Sequence, residues 1–313
     1  MANSNNINRR HFLKTAAITS TALLLNNGCS SGSANGNKQL FDISLAQWSL
    51  HEMLYAKKLT NLEFPSYTKM NFNLSAIEYV SRFFEGNETN NTYLTELKKR
   101  CQDSGVQSLL IMVDHEGYLA AKNDSVRKES VNKHKKWVAA ARFLGCHSIR
   151  VNAKYGDKSA AKEGYSETMK QAADGLNQLG EHAEKSNISI LVENHGGLSS
   201  NGKWLSGVMK LANRNNVGTL PDFGNFYEYD RYQGVKDLMP YAKGVSAKSY
   251  AFDNEGNETT VNYRKMLNIV TTAGYHNHIG IEYERKKGST QVPEMEGIRK
   301  TQALLEKIRM EMK

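Results

Sequence analysis

The chain has 313 residues, three cysteines and a formal charge of +9, from 41 Lys and Arg against 32 Asp and Glu. The basic residues are dispersed, with no run of five, so the charge serves solubility and excludes the cationic stripe of a nucleic-acid-binding protein. Cysteine says little: with Cys29 assigned to a leader, Cys101 and Cys146 remain, each ahead of an expected strand, and read as buried thiols for which a disulfide is not required.

The N-terminus is set apart from the fold. Arg9-Arg10-His11-Phe12-Leu13-Lys14 resembles the twin-arginine export motif, and the apolar stretch from Ala16 to Leu25 is shorter than the roughly 20 residues a membrane span needs. Cys29, followed by Ser30-Ser31-Gly32-Ser33, looks like a lipoprotein acceptor, although Asn26 stands where the usual lipobox has Leu. Residues 1–29 therefore read as an export signal with a lipid anchor on Cys29, and residues 30–40 as a flexible tether. The expected location is the periplasm or its membrane surface. Without Arg9, Arg10 and Lys14 the remaining chain carries about +6, again dispersed.

From residue 41 onward, short apolar runs alternate with helical patterns. The expected strands are, in order, Phe41–Trp48, Leu74–Val80, Val106–Val113, His147–Asn152, Ile188–Glu193, Val217–Asp222, Gly244–Ser249 and Ile279–Tyr283. The expected helices include Thr92–Ser104, Val126–Leu144, Tyr165–Lys185, Lys203–Arg214, Tyr263–Ala273 and Glu294–Met310; Gly105, Gly145 and Gly274 stand where helices stop. Eight strand–helix units predict a single α/β domain over 41–313, a (β/α)8 TIM barrel. An open doubly wound sheet would carry a Gly-rich loop after its first strand, and Ala46-Gln47-Trp48-Ser49 is not one.

Active sites of this barrel lie at the C-terminal strand ends. There the fifth strand delivers Glu193, the sixth Asp222 and the eighth Glu282. One acid at a strand end is ordinarily just solvated. Three at matching ends repel one another unless a cation binds or a proton is shared, and carboxylate oxygens suit Mn, Mg or Zn, with Mn and Mg favoured where oxygen dominates.

Ala46-Gln47-Trp48-Ser49, Val192-Glu193-Asn194-His195-Gly196-Gly197, Asp222-Phe223-Gly224-Asn225 and Gly280-Ile281-Glu282-Tyr283-Glu284, in that order on those strands, resemble the sugar phosphate isomerase/epimerase family of xylose-isomerase-like barrels. The resemblance covers residues 41–311. It implies a divalent metal held by Glu193, Asp222 and Glu282, with a fourth, histidine ligand on strand seven. There the chain departs, with Ser246-Ala247-Lys248-Ser249 where the family reads His-x-Lys-Asp, so that water or His195 would complete the shell or Lys248 would neutralise the acids itself. It also implies Glu193 and Glu282 as the paired catalytic acid and base that move a proton beside a ketose carbonyl, in isomerisation or epimerisation. The same proton removal could expel a β-substituent from a 3-keto-glycoside, making the enzyme a lyase or deglycosidase. A barrel that binds carbohydrate without catalysis is the third reading.

Around the acids, His195 reads as a sugar contact or an orienting residue, Asn225 as a hydroxyl partner, Lys248 as a charge partner, Trp48 as a stacking face and Glu116 as a rim contact. His115, His51, Asn152 and Arg150 are weaker candidates at strand ends; His276 and His278 lie at the barrel's bottom, and Tyr227, Tyr229 and Tyr232 read as loop packing or rim.

Overall fold

The computed structural model describes residues 39–156, 164–285 and 291–313. The export motif, Cys29 and most of the tether lie outside the described residues. Eight strands, β1 (Asp42–Ala46), β2 (Ala76–Val80), β3 (Gln107–Met112), β4 (Ser148–Val151), β5 (Ser189–Glu193), β6 (Val217–Leu220), β7 (Val245–Ser249) and β8 (His278–Tyr283), form at the eight expected places. The helices are α1 (His51–Tyr55), α2 (Phe64–Phe72), α3 (Asn91–Asp103), α4 (Asp124–Leu144), α5 (Tyr165–Glu184), α6 (Gly202–Ala212), α7 (Arg231–Leu238), α8 (Tyr263–Thr272) and α9 (Glu294–Glu311).

All strand pairs are parallel, in the order β6-β5-β4-β3-β2-β1-β8-β7. The ring closes between β6 and β7 through two bridges, Thr219 with Ala242 and Asp222 with Ser246. This is the TIM barrel that the alternation predicts. The weak seam has a local cause. Pro221 has no N–H to give to a ladder, so β6 stops at Leu220 instead of running to Asp222. The Pro221 carbonyl still accepts from Ser246 N at 2.9 Å, and Phe223 N donates to Ser246 O at 3.1 Å, which holds Asp222 beside β7.

The first strand also ends early. Gln47–Leu50 turn as a 3-10 helix, and the Gln47 amide bridges Val80 N at 2.9 Å and Asn61 Oδ1 at 2.8 Å. Trp48 therefore stands on a turn above the barrel mouth and not on β1. Helices α1, α2 and α7 escape the apolar period read from sequence. In α2 the buried face is Phe64, Pro65, Thr68 and Phe72, so a proline and a threonine interrupt the stripe, and the proline suits the first turn it occupies. The buried residues of α7 are only Gly234, Val235 and Leu238.

Outside the ring, apolar strand residues such as Ile77, Ile111, Ile149, Ile190 and Ile279 are buried with helix residues such as Phe64, Leu97, Leu176 and Trp204, each such side chain worth about 1.5–3 kcal/mol. Inside the ring, several buried positions are polar. Ser44, Glu78, Arg150, Glu193, Ser246, Lys248 and Glu282 are all buried, where the usual barrel interior holds branched apolar side chains. Gly280 makes room for one of them: a Cβ there would stand 2.4 Å from Glu78 Oε1. No helix among the described residues is long and apolar enough to cross a membrane.

Candidate active site

Glu193 ends β5, Asp222 follows β6 and Glu282 lies near the end of β8, and one carboxylate oxygen of each falls within 4.8 Å of the others. All three are buried, at 1%, 0% and 4% exposure, so their charges must be matched within the protein. Two cations and several neutral groups do this unequally.

On the β7–β8 side, Lys248 Nζ lies 2.5 Å from Glu282 Oε1 and 3.1 Å from Glu284 Oε2. Burial would raise the Glu282 carboxyl, but the charge and hydrogen bond of Lys248, with help from Arg150, hold it below its ordinary value. Lys248 itself, although buried, stays firmly protonated because Glu282, Asp222 and Glu284 surround it. On the β4–β5 side, Arg150 NH1 donates to Asp114 Oδ1 at 2.8 Å, an oxygen that also accepts from Asn152 Nδ2 at 2.7 Å. Its Nε lies 2.8 Å from Glu193 Oε2, but out of line for a hydrogen bond, so that Oε2 has no hydrogen-bond donor. Burial therefore dominates at Glu193 and pushes it up to about 7, against the pull of Arg150.

Asp222 joins the two sides. Its Oδ1 accepts from Gly224 N at 2.9 Å and Asn225 N at 2.8 Å, and Ser246 Oγ stands 2.7 Å from its Oδ2 and 2.9 Å from Glu282 Oε2. A hydroxyl has one proton, so it donates to only one of two carboxylates. The other contact is satisfied when the second carboxyl carries a proton of its own. Burial raises Asp222 to about 7 while Glu282 is held low, so the proton belongs on Asp222, which donates to Ser246, which donates to Glu282.

Asn194 sets this geometry. Its Nδ2 donates to Asp222 O at 3.0 Å and its Oδ1 accepts from Asp222 N at 2.8 Å, replacing the ladder that Pro221 interrupts. An amide at a strand end has many uses, so nothing in the sequence marks Asn194 for this role. Asn225 is brought to the cluster, but its amide is engaged within the protein, donating to Glu193 Oε1 at 2.9 Å.

The other expected residues divide. The strand stops at Glu193, so alternation does not place His195; the Gly196-Gly197 turn does, at φ values of 86 and 58. Its Nδ1 is buried without a hydrogen-bond partner, and burial followed by the Arg150 charge lowers its pKa to about 4, leaving a neutral ring. Trp48 is half-buried in an aromatic group at the mouth, stacked on His51 at 4.7 Å and edge-on to Tyr55. Glu116 is not brought to the acids: its Oε1 accepts from Trp137 Nε1 at 2.8 Å and pairs with Lys136 at 3.0 Å, tying the loop after β3 to α4. Arg150 and Asn152, weak candidates in the sequence, stand directly on the acid network, with Asp114 and Glu78 as acids not singled out. Cys101 and Cys146 are free buried thiols.

A family model described as the xylose isomerase-like TIM barrel matches residues 71–308. The chain belongs to this family. No curated protein matches the sequence significantly. Among solved structures, this family member is similar to the IolI protein with a bound zinc atom, at 14% identity and a TM-score of 0.70, covering 87% of this chain and 99% of that one. It is similar to a D-psicose 3-epimerase solved with D-fructose, at 12% identity and a TM-score of 0.68, covering 86% and 99%. It is also similar to 3-keto-D-glucoside 4-epimerase from E. coli, at 13% identity and a TM-score of 0.62, covering 86% and 100%. At such identities the likeness is one of fold.

The donor set of this family member can be tested against a divalent ion. Three carboxylate oxygens converge, and Glu193 Oε2 is a buried acceptor without a donor. A hard cation fits that set.

Proposed function

We propose that the protein is an isomerase or epimerase that removes a proton beside the carbonyl of a ketose or keto-sugar and returns it on the opposite face. The observation that carries this reading is the inequality of the two glutamates. Environments that push paired carboxyls apart assign an acid and a base. Glu282, kept ionised by Lys248, takes the proton from carbon. Glu193, kept protonated by burial, supplies one to the other face of the same carbon. One proton leaves and one arrives, so the sugar changes configuration without changing composition.

Glu193, Asp222 and Glu282 would hold a divalent cation, with the Ser246 hydroxyl the nearest further oxygen. When bound, it would stabilise the negative charge that develops on the substrate oxygen. The residues of the chain contribute beyond that. Lys248 and Arg150 offset the acids in a site that excludes water, and Asn194 and Asn225 fix the carboxylates so that no reorganisation accompanies proton transfer. Asp222→Ala should lower metal content measured by mass spectrometry while the circular dichroism spectrum is retained.

Export through Arg9-Arg10 belongs to the same proposal, placing the reaction outside the cytoplasm; replacing both by Lys should trap the unprocessed chain inside.

Deuterium incorporation from solvent into a ketose or keto-sugar tests the central claim, because binding alone exchanges no proton. Wild-type protein should exchange and Glu282→Gln should not. Equal exchange by the two proteins on a verified substrate would move the base elsewhere.

A further inference from the structure

The end of the barrel opposite the strand-end acids holds a separate cavity of about 380 Å³. Its rim lies where strands begin, with His147 just ahead of β4, Lys243 ahead of β7 and His278 opening β8. It reaches inward past Leu110 and Tyr275 to Glu78, in the middle of β2. This end of a (β/α)8 barrel ordinarily serves stability alone. A cavity of this size falls within the range of small-molecule sites, about 300–1,000 Å³.

The polar groups around it lack partners. Glu78 is 3% exposed; Ser44 Oγ donates to its Oε1, and its Oε2 has no hydrogen-bond partner. Among the described residues, the rings of His147 and His278 make no hydrogen bond, and Lys243 Nζ makes neither a hydrogen bond nor an ion pair. Desolvation, then the charges of His278 and Lys243, disfavour a proton on His147. Desolvation acts the same way on His278, opposed by Asp42, which lies outside the lining. An anion among the three would remove that conflict. The frame that carries them is fixed: His147 N donates to Leu109 O at 2.9 Å, Lys243 N to Thr219 O at 3.0 Å and the Tyr275 hydroxyl to His278 O at 2.7 Å. Gly218 makes room for the lysine stem, since a Cβ there would stand 3.0 Å from Lys243 Cδ.

From this arrangement we infer that the cavity binds a small hydroxy acid, with its carboxylate among His147, His278 and Lys243 and a hydroxyl at Glu78. The two ends select different chemistry. The rim offers N–H donors and positive charge, which suit a carboxylate. The inner end offers a carboxyl that burial raises to about 7, so near neutrality it meets a ligand in either protonation state. A hydroxyl donates to the ionised form and accepts from the protonated one, whereas an ammonium suits only the first. Leu110 and Tyr275 cover the carbon chain between the ends. The site stands apart from Glu193 and Glu282, so it and their acid–base reading can fail independently.

Calorimetric titration of the full chain with gluconate, glycerate, sorbitol and hexanoate tests the two ends separately. At least one of the two hydroxy acids should bind, at least tenfold more tightly than sorbitol, which lacks the charge, or hexanoate, which lacks the hydroxyls. Lys243→Ala and His147→Ala should each weaken that acid several-fold, as for one lost charge contact, with the circular dichroism spectrum retained. Glu78→Leu keeps the bulk without the oxygens and should bring the acid and hexanoate to similar affinity. Asp222→Ala, at the opposite end of the barrel, should leave the acid's binding unchanged. Sorbitol or hexanoate binding the wild type as tightly as the hydroxy acids overturns the assignment. So does acid binding indifferent to Lys243 and His147, or no binding of either acid at millimolar concentration.

Discussion

Two cations sit among the acids of this barrel, and they treat their partners differently. Lys248, between Glu282 and Glu284, is a point charge with three protons and serves both carboxylates in line. Arg150, between Asp114 and Glu193, has a fixed fork that aligns with Asp114 and only abuts Glu193. Asp114 is accordingly held well below the usual carboxylate range, while Glu193 is left with burial as its main influence and rises. The difference teaches that counting cations near a buried acid does not give its charge. Alignment matters, and here one glutamate is held below its ordinary pKa while its opposite number rises to about 7.

The largest effect that could break this comparison is on turnover. Glu282→Gln and Glu193→Gln should each reduce turnover by about 10²–10⁴-fold, the usual worth of a general acid or base. The pH profile tells them apart. In the wild type, activity should fall as pH rises and Glu193 loses its proton, at about 7 without a bound cation and lower with one. That descending limb should vanish from the residual activity of Glu193→Gln and persist in Glu282→Gln. The opposite pattern would exchange the two roles.

Next in size is the loss of a cation. Lys248→Met leaves the buried Glu282 and the part-exposed Glu284 without their cation and should destabilise the fold by about 3–5 kcal/mol, read from denaturant midpoints at pH 8. The cost should shrink at pH 5 as protons take the place of the ammonium; a cost independent of pH would mean that packing, not charge, is what Lys248 supplies.

Ser246→Ala is smaller. It removes the hydroxyl between Asp222 and Glu282 and should cost about 1–3 kcal/mol through the two buried carboxyl groups left without that partner. A loss below that range would show that water enters to replace the hydroxyl.

The smallest effect uses a third environment, an acid with no cation in contact. Glu78 accepts from Ser44 Oγ at 2.6 Å, its other oxygen has no hydrogen-bond partner, and burial raises it from 4.5 to about 7. Between those values the folded state holds a proton that the unfolded chain has released, so stability should fall as pH rises across the window and level off above it. Glu193 and Asp222 contribute with the same sign. Glu78→Gln should therefore reduce, not abolish, the loss of stability between pH 5 and pH 8 measured by chemical denaturation. An unchanged slope would place the proton dependence on the strand-end acids alone.

All eight strands were legible because apolar residues recur at least every second position in short runs between the helix patterns, whatever their partners. Helix α4 was legible for a similarly local reason: Gly145 stands at its end in the left-handed conformation, at φ 83. The three acids could be found because a carboxylate at the end of an apolar run conflicts with burial in one dimension already. Arg150 gave a fainter signal. Inside Ser148–Val151 it is one polar residue in an alternating strand, and only closure of the ring turns it toward Glu193. Glu116 misled for the opposite reason, since a carboxylate near a strand end looks the same in sequence whether it faces the mouth or, as here, Trp137 and Lys136 on α4.

The sequence by itself determined the barrel and the three carboxylates at its mouth, because strand period, helix stops and apolar runs are properties of neighbours along the chain. The tertiary structure alone decided which glutamate keeps its proton, that Asn194 replaces the ladder broken by Pro221, and that Glu78 shares a cavity with His147, Lys243 and His278. Those depend on distances and angles between residues far apart in sequence, and an electrostatic or hydrogen-bond energy exists only once the fold has set them.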